Sequence, residues 1–228
     1  MNFNFSETAG LGESNGAKQL EGNKIHTVKF DGCEAVDLKD GQYKTLRIKF
    51  SNEDGAFTHT IFEPRDGDDQ DTQGTYGPNP SPVKEMITLL RHLAAAVSPG
   101  LMEAINTMPN NLSWDQFRQK VVEASADGIG KTTKIKLLKR EKTDQNTGEK
   151  RINAEFPRYI IAYDREGKLY MRTNFIGDKT YFTTKELQKM RTEAAAKPTS
   201  ADDFDNETTS TKPVNQLADP DFDDELLK

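Results

Sequence analysis

Basic and aromatic side chains gather in two stretches of this 228-residue chain, and basic ones in a third, a combination suited to gripping a single nucleic-acid strand. Ammonium and guanidinium groups hold phosphates, and flat rings give bases a stacking surface worth ~1–3 kcal/mol each. The first stretch is Tyr43, Arg47 and Lys49, which fall on the face opposite Leu46, Ile48 and Phe50. The second is Lys134, Lys136 and Arg140, set against Ile135 and Leu137. The third, Arg158, Tyr159, Tyr170, Arg172 and Phe175, surrounds the turn at residues 164–167. Each has a plainer reading: a solvated strand face for the cations, a hydrophobic core for any one ring. As a set they point to a binding surface.

The remaining motifs do not support catalysis. Residues 128–133, Gly-Ile-Gly-Lys-Thr-Thr, resemble the end of a phosphate-binding loop. Ser125 stands where the leading glycine belongs, and the segment leaves a helix and enters a strand, the reverse of the order such loops need. These glycines read instead as a helix C-cap and linker. The acidic run Asp66, Asp68, Asp69 and Asp71 departs from an EF-hand calcium loop, which needs glycine at position 71 and a glutamate six residues on. It reads as a solvated loop. His26, Cys33, His59 and His92 are too scattered for zinc. His26 and His59 are expected in strands and His92 on a helix surface, and no nucleophile–base arrangement is legible. The expectation is a protein that is not an enzyme and needs no cofactor or metal.

Several elements must position the three stretches. Residues 24–37 form a first strand candidate, with Val28 and Phe30 alternating against Thr27 and Lys29. Residues 42–50 form a second, and Asp54-Gly55 turns the chain into a third over 56–63. Residues 64–80 read as a Pro/Gly/Asp loop. Ser81-Pro82 opens an amphipathic helix through Val97, Ser98-Pro99 a second through about Met108, and Ser113 with Gln116 forms a capping box for a third. Strands are expected again over 131–140, 158–163 and 168–176, with a hairpin-like loop at 144–148. Thr184 is expected to cap a terminal helix. The class is mainly β with a helical insertion (α+β). Three strands, a helical segment between strands 3 and 4, then further strands is the order of an OB-fold, a small five-stranded barrel that binds oligonucleotides. The domain is expected over 24–197, with the insertion at about 82–126, after a loose arm over 1–23.

The net charge of −6 conceals a tripole. Residues 1–130 carry 12 Lys and Arg against 19 Asp and Glu, residues 131–199 carry 17 against 9, and residues 200–228 carry 2 against 9. The basic segment suits a polyanion. The acidic tail, residues 198–228, has too little apolar surface to order itself and is expected to be disordered. Its end interleaves Phe222, Leu226 and Leu227 with Asp221, Asp223, Asp224 and Glu225, a pattern suited to docking on a basic, grooved partner. No run approaches the ~18 apolar residues of a membrane helix, and the first residues lack the features of a secretory signal. A lone cysteine, Cys33, fits a reducing cytoplasm.

With these parts in view, the chain resembles bacteriophage single-stranded DNA-binding proteins. The residues that carry the likeness are 23–30, 43–50, the turn and strand through 62–64, and the tail over 221–227. The resemblance implies an OB-fold body that binds single-stranded DNA in replication, recombination or repair. It also implies a tail that recruits replication enzymes (polymerase, helicase or primase) and shields the DNA groove when DNA is absent. Many members end in an aromatic residue after the acidic run, whereas this chain ends Leu226-Leu227-Lys228. A second reading is a protein-interaction adaptor whose basic half docks an acidic partner; a third is an RNA-binding protein of the same fold.

Overall fold

The computed structural model describes residues 18–75, 77–109, 111–143 and 148–195. The acidic tail with Asp221–Leu227, and residues 1–17 of the arm, lie outside the described residues. In chain order, strands β1 (Lys24–Leu38), β2 (Tyr43–Asn52) and β3 (Gly55–Phe62) and a short hairpin, β4 (Thr72–Gly74) and β5 (Gly77–Asn79), precede helices α1 (Pro82–Val97), α2 (Pro99–Thr107) and α3 (Trp114–Ala124). Strands β6 (Thr132–Thr143), β7 (Lys150–Glu155), β8 (Ile161–Tyr163) and β9 (Leu169–Met171) and helix α4 (Thr184–Ala195) follow. The fold is mixed α and β around one antiparallel sheet of order β3-β2-β1-β6-β7.

Alternation builds that sheet. Val28, Phe30, Leu46, Ile48, Phe50, Phe57, Ile135 and Leu137 turn to one side and are buried together. A side chain of this kind contributes ~1.5–3 kcal/mol when fully buried. Strand β1 is shared between two halves of the sheet: residues 24–29 pair with β6, and residues 29–38 pair with β2. A bulge between Phe30 and Gly32 separates the halves, with Gly32 at φ +113°, a backbone that side-chain-bearing residues rarely adopt. Strand β6 is divided likewise, residues 132–137 facing β1 and 138–143 facing β7.

The edge strands β3 and β7 are not hydrogen-bonded neighbours, so the closed barrel expected from the sequence is not seen among the described residues. The gap is spanned by side chains. Phe156, just past β7, meets Phe57 edge-on at 4.9 Å between ring centroids and lies 5.1 Å from His59. Burial pushes the His59 imidazole down to about 4, so it is neutral at pH 7.

The helices start where serine and proline place them. Ser81 Oγ accepts from Lys84 N–H and Ser98 Oγ from Leu101 N–H, each with proline at the first helical position. Ser113 and Gln116 form the reciprocal box that opens α3. Leu90, Leu93 and Val97 of α1, Leu101 of α2 and Val121 of α3 join the core beneath the sheet. Buried Arg118 fixes α3 to β1 by binding Asp37 and Asp115.

Several expectations need correction. Packing reaches upstream of Lys24: Leu20 is buried in the core, and Leu20 N–H donates to the Ala56 carbonyl at 3.0 Å. The loop over 64–80 contains the β4–β5 hairpin. Strand β7, whose sequence KRINAE has no clear alternation, lies outside the expected strands, and the strands around residue 165 are only three residues each. Thr183, not Thr184, caps α4: its Oγ1 accepts from Glu186 N–H while Glu186 Oε2 accepts from Thr183 N–H. His92 is half-buried, its ring parallel to Phe175 at 5.5 Å.

Candidate nucleic-acid interface

Antiparallel neighbours share a face, and this places the first stretch. On the sheet face opposite the core, Arg47 lies opposite Thr60 and Glu34, and Lys49 lies opposite Thr58. Tyr43, Arg47 and Lys49 are each half-buried. Lys39 Nζ stands 5.7 Å from the centre of the Tyr43 ring, and Lys49 Nζ lies 3.2 Å from Glu34 Oε2. Exposed pairs of this kind are worth ~0–1 kcal/mol, so Lys49 can exchange a carboxylate for a phosphate at little cost. Phe62, opposite Thr45 on the same face and 43% exposed, joins this group, although the sequence reading does not include it. Its signal is the alternation Thr58, Thr60, Phe62 against Phe57, His59, Ile61.

The second stretch does not act as one face. Lys134 is exposed opposite Thr27. Lys136, expected beside it, is completely buried. Its Nζ donates to Thr173 Oγ1 and to both Glu186 oxygens, the latter at 3.0 and 2.8 Å, with the Tyr181 and Phe182 rings 5.9 and 5.5 Å away. Burial pushes the Lys136 ammonium below the usual lysine range, and Glu186 partly offsets this. Lys136 is thus a structural cation that ties α4 to β6, since the segment from Thr173 to Glu186 folds back over it. Arg140 binds Glu155 at 3.1 Å; Lys142 binds the same carboxylate at 2.7 Å, and Arg158 approaches it at 3.9 Å. Glu155 thereby gathers Arg140 and Arg158 from different parts of the chain.

The third stretch splits as well. Phe175, expected as a base platform, is wholly buried between His92 and Phe156 and belongs to the core. Tyr159 and Tyr170 are 64% and 46% exposed, and Arg158 and Arg172 are exposed beside them. The β8–β9 pairing of Ala162 with Tyr170 and the bond from Arg172 N–H to the Ile160 carbonyl, 2.8 Å, hold these residues in one neighbourhood.

No family model, curated protein or solved structure matches this chain. The interface therefore stands on its geometry. In the Gly-Ile-Gly-Lys segment, the amides of Gly128, Ile129, Gly130 and Lys131 donate to the carbonyls of Ser125, Ala126, Phe30 and Gly128, which leaves no cradle for a phosphate. The Asp71 carboxylate is engaged by Lys84, by Tyr163 Oη at 2.7 Å and by Ser81 N–H at 3.0 Å. Among the described residues, no group of three or more His, Cys, Asp or Glu is arranged to hold a metal. Burial pushes the half-buried Cys33 thiol up to about 11, which keeps it protonated and unreactive at neutral pH. No helix among the described residues is long and apolar enough to cross a membrane.

Proposed function

We propose that this chain is a non-enzymatic, sequence-tolerant binder of single-stranded DNA that acts in replication, recombination or repair of a phage genome. Its body is an OB-fold-like barrel left open between β3 and β7, and its acidic tail docks replication enzymes. The observation that carries this reading is the strand order β3-β2-β1-β6-β7 with helices α1–α3 between the third and fourth sheet strands, an arrangement compatible with a partly open OB barrel. Support also comes from the basic and aromatic side chains at its surface, several of them paired with carboxylates: Tyr43, Arg47, Lys49 and Phe62 on the β2–β3 face, Lys134 on β6, and Arg140, Arg158, Tyr159, Tyr170 and Arg172 near the end of β7 and the β8–β9 hairpin. The rings are dispersed and carry no hydrogen-bond code for particular bases, which suits stacking that tolerates any sequence.

The test is a binding titration with single-stranded DNA, duplex DNA and RNA across a salt series. Log affinity for single-stranded DNA falls linearly with log salt, at about −0.7 per phosphate contacted. Phe62→Ala and Tyr43→Ala each weaken binding by ~1–3 kcal/mol with an unchanged melting temperature. Absence of single-strand binding, or a flat salt dependence, removes the reading and favours the protein-interaction adaptor.

A further inference from the structure

Tyr159 is the most exposed large hydrophobic or aromatic side chain among the described residues, at 64%, and its backbone is left-handed, with φ +55°. Chains ordinarily give that conformation to glycine or asparagine, because the Cβ of other residues crowds the following carbonyl. Its neighbours are firmly placed. Phe156, Pro157, Ile160 and Ile161 are all buried, so the ring is held outward between anchored residues. Such a conformation persists only where the surroundings over-determine it.

The surroundings here are a carboxylate. Glu85, in the first turn of α1, accepts from Ile161 N–H at 3.5 Å, and the backbone of Tyr159 and Ile160 faces the same carboxylate; burial raises the carboxyl from its ordinary value, and these amides draw it back down. A left-handed residue among successive N–H groups lets them converge on one anion, the arrangement of a backbone nest. Tyr159 is that residue. The Glu85 carboxylate therefore helps to hold the loop, and the loop sets the direction in which the Tyr159 side chain leaves the backbone. Arg158 and Arg172 flank the ring with cations, and the Arg172 charge also reaches Glu85.

We infer that Glu85 is a positioning residue that holds Tyr159 out as a pre-ordered stacking platform for a base of single-stranded DNA. This rests on the binding function proposed above and assigns a part of it to a carboxylate that no charge argument would place near DNA. Pre-ordering matters because a loop backbone already held in place loses little conformational freedom on binding. A half-buried carboxylate behind the loop can thus favour binding of a polyanion, provided its charge is taken up by backbone amides.

The experiment uses the full chain with an oligo-dT strand and an abasic strand of equal length. Tyr159→Ala weakens oligo-dT binding by about 5- to 150-fold and leaves abasic binding unchanged. Tyr159→Phe retains both. Glu85→Ala reproduces the oligo-dT loss, spares the abasic strand, and adds nothing in the Tyr159→Ala background, since both act through one ring. Should Glu85→Ala fail to fold by thermal melting, Glu85→Gln, which keeps one acceptor oxygen, gives the same base-selective loss at reduced size. A wild-type protein that binds neither strand overturns the single-strand reading and this inference with it. A wild-type protein that binds both strands while Tyr159→Ala has no base-selective effect overturns this inference alone. Additive losses from Glu85 and Tyr159 remove the positioning role.

Discussion

Acidification should loosen the chain well before its carboxylates titrate, through His59. The imidazole is packed against Phe156 where β3 meets the end of β7, and burial lowers it from 6.5 to about 4. The sign follows from proton counting. Below pH 6.5 the unfolded chain takes up a proton at this residue that the folded chain refuses, so stability is fully present above 6.5 and is lost as pH falls toward 4. A tenfold difference in proton affinity between the two states corresponds to roughly 1.4 kcal/mol, so moving from pH 7 to pH 5 costs on the order of 2 kcal/mol. His92, lowered in the same direction by burial, adds to the slope. Urea melts at pH 7, 6 and 5 measure it, with His59→Phe as the comparison because an apolar ring packs on Phe156 and does not titrate. The variant should lose most of the pH dependence in this window. Parallel stability curves for the two proteins between pH 7 and 5 would show that His59 is hydrated in the native state, and the reasoning would be wrong.

Two further outcomes follow from other sites. Lys136→Ala leaves Glu186 without its cation and should destabilise the fold by about 3 kcal/mol, whereas the paired change Lys136→Met with Glu186→Leu should recover most of that loss in thermal melts. Removing residues 200–228, which carry 9 acidic against 2 basic residues, should tighten single-stranded DNA binding at low salt by relieving competition for the basic surface. That gain should shrink as salt rises, and unchanged low-salt affinity in a direct titration would exclude competition.

Local signals make much of this architecture legible. Leu46, Ile48 and Phe50 alternate, and they line the core; Ser81-Pro82, Ser98-Pro99 and Ser113 announce helices, and helices begin there. The features that escape such signals depend on distant chain. Lys136 alternates as a surface residue would, but Thr173 and Glu186 return to cover it. Phe175 sits in a stretch that reads as a strand, yet the strand ends at Met171 and the ring is drawn inward against His92. Leu20 lies in a polar segment and enters the core because the main chain of Lys18 and Leu20 pairs with Ala56. Among site residues, those exposed on regular strands are readable from period two. Glu85 is not, because its partners are backbone amides of a loop far along the chain.

The divided strand β1 also dictates an order of assembly. Its second half pairs with β2 within a short span, so the meander of β1, β2 and β3 can form as soon as residues 24–62 leave the ribosome. Its first half must wait for Thr132–Leu137, after all three core helices have been synthesised. During that interval the main-chain groups of residues 24–29 form an uncovered edge beside Val28 and Phe30, the kind of edge that recruits strands from other chains. Helices α1–α3 emerge in that same interval carrying Leu90, Leu93, Val97, Leu101 and Val121, the residues that cover the meander's apolar side. Their placement before β6 would cover the meander's apolar side before that edge closes, and the pairing of β1 with β6 is a contact of long sequence separation, the kind that slows folding.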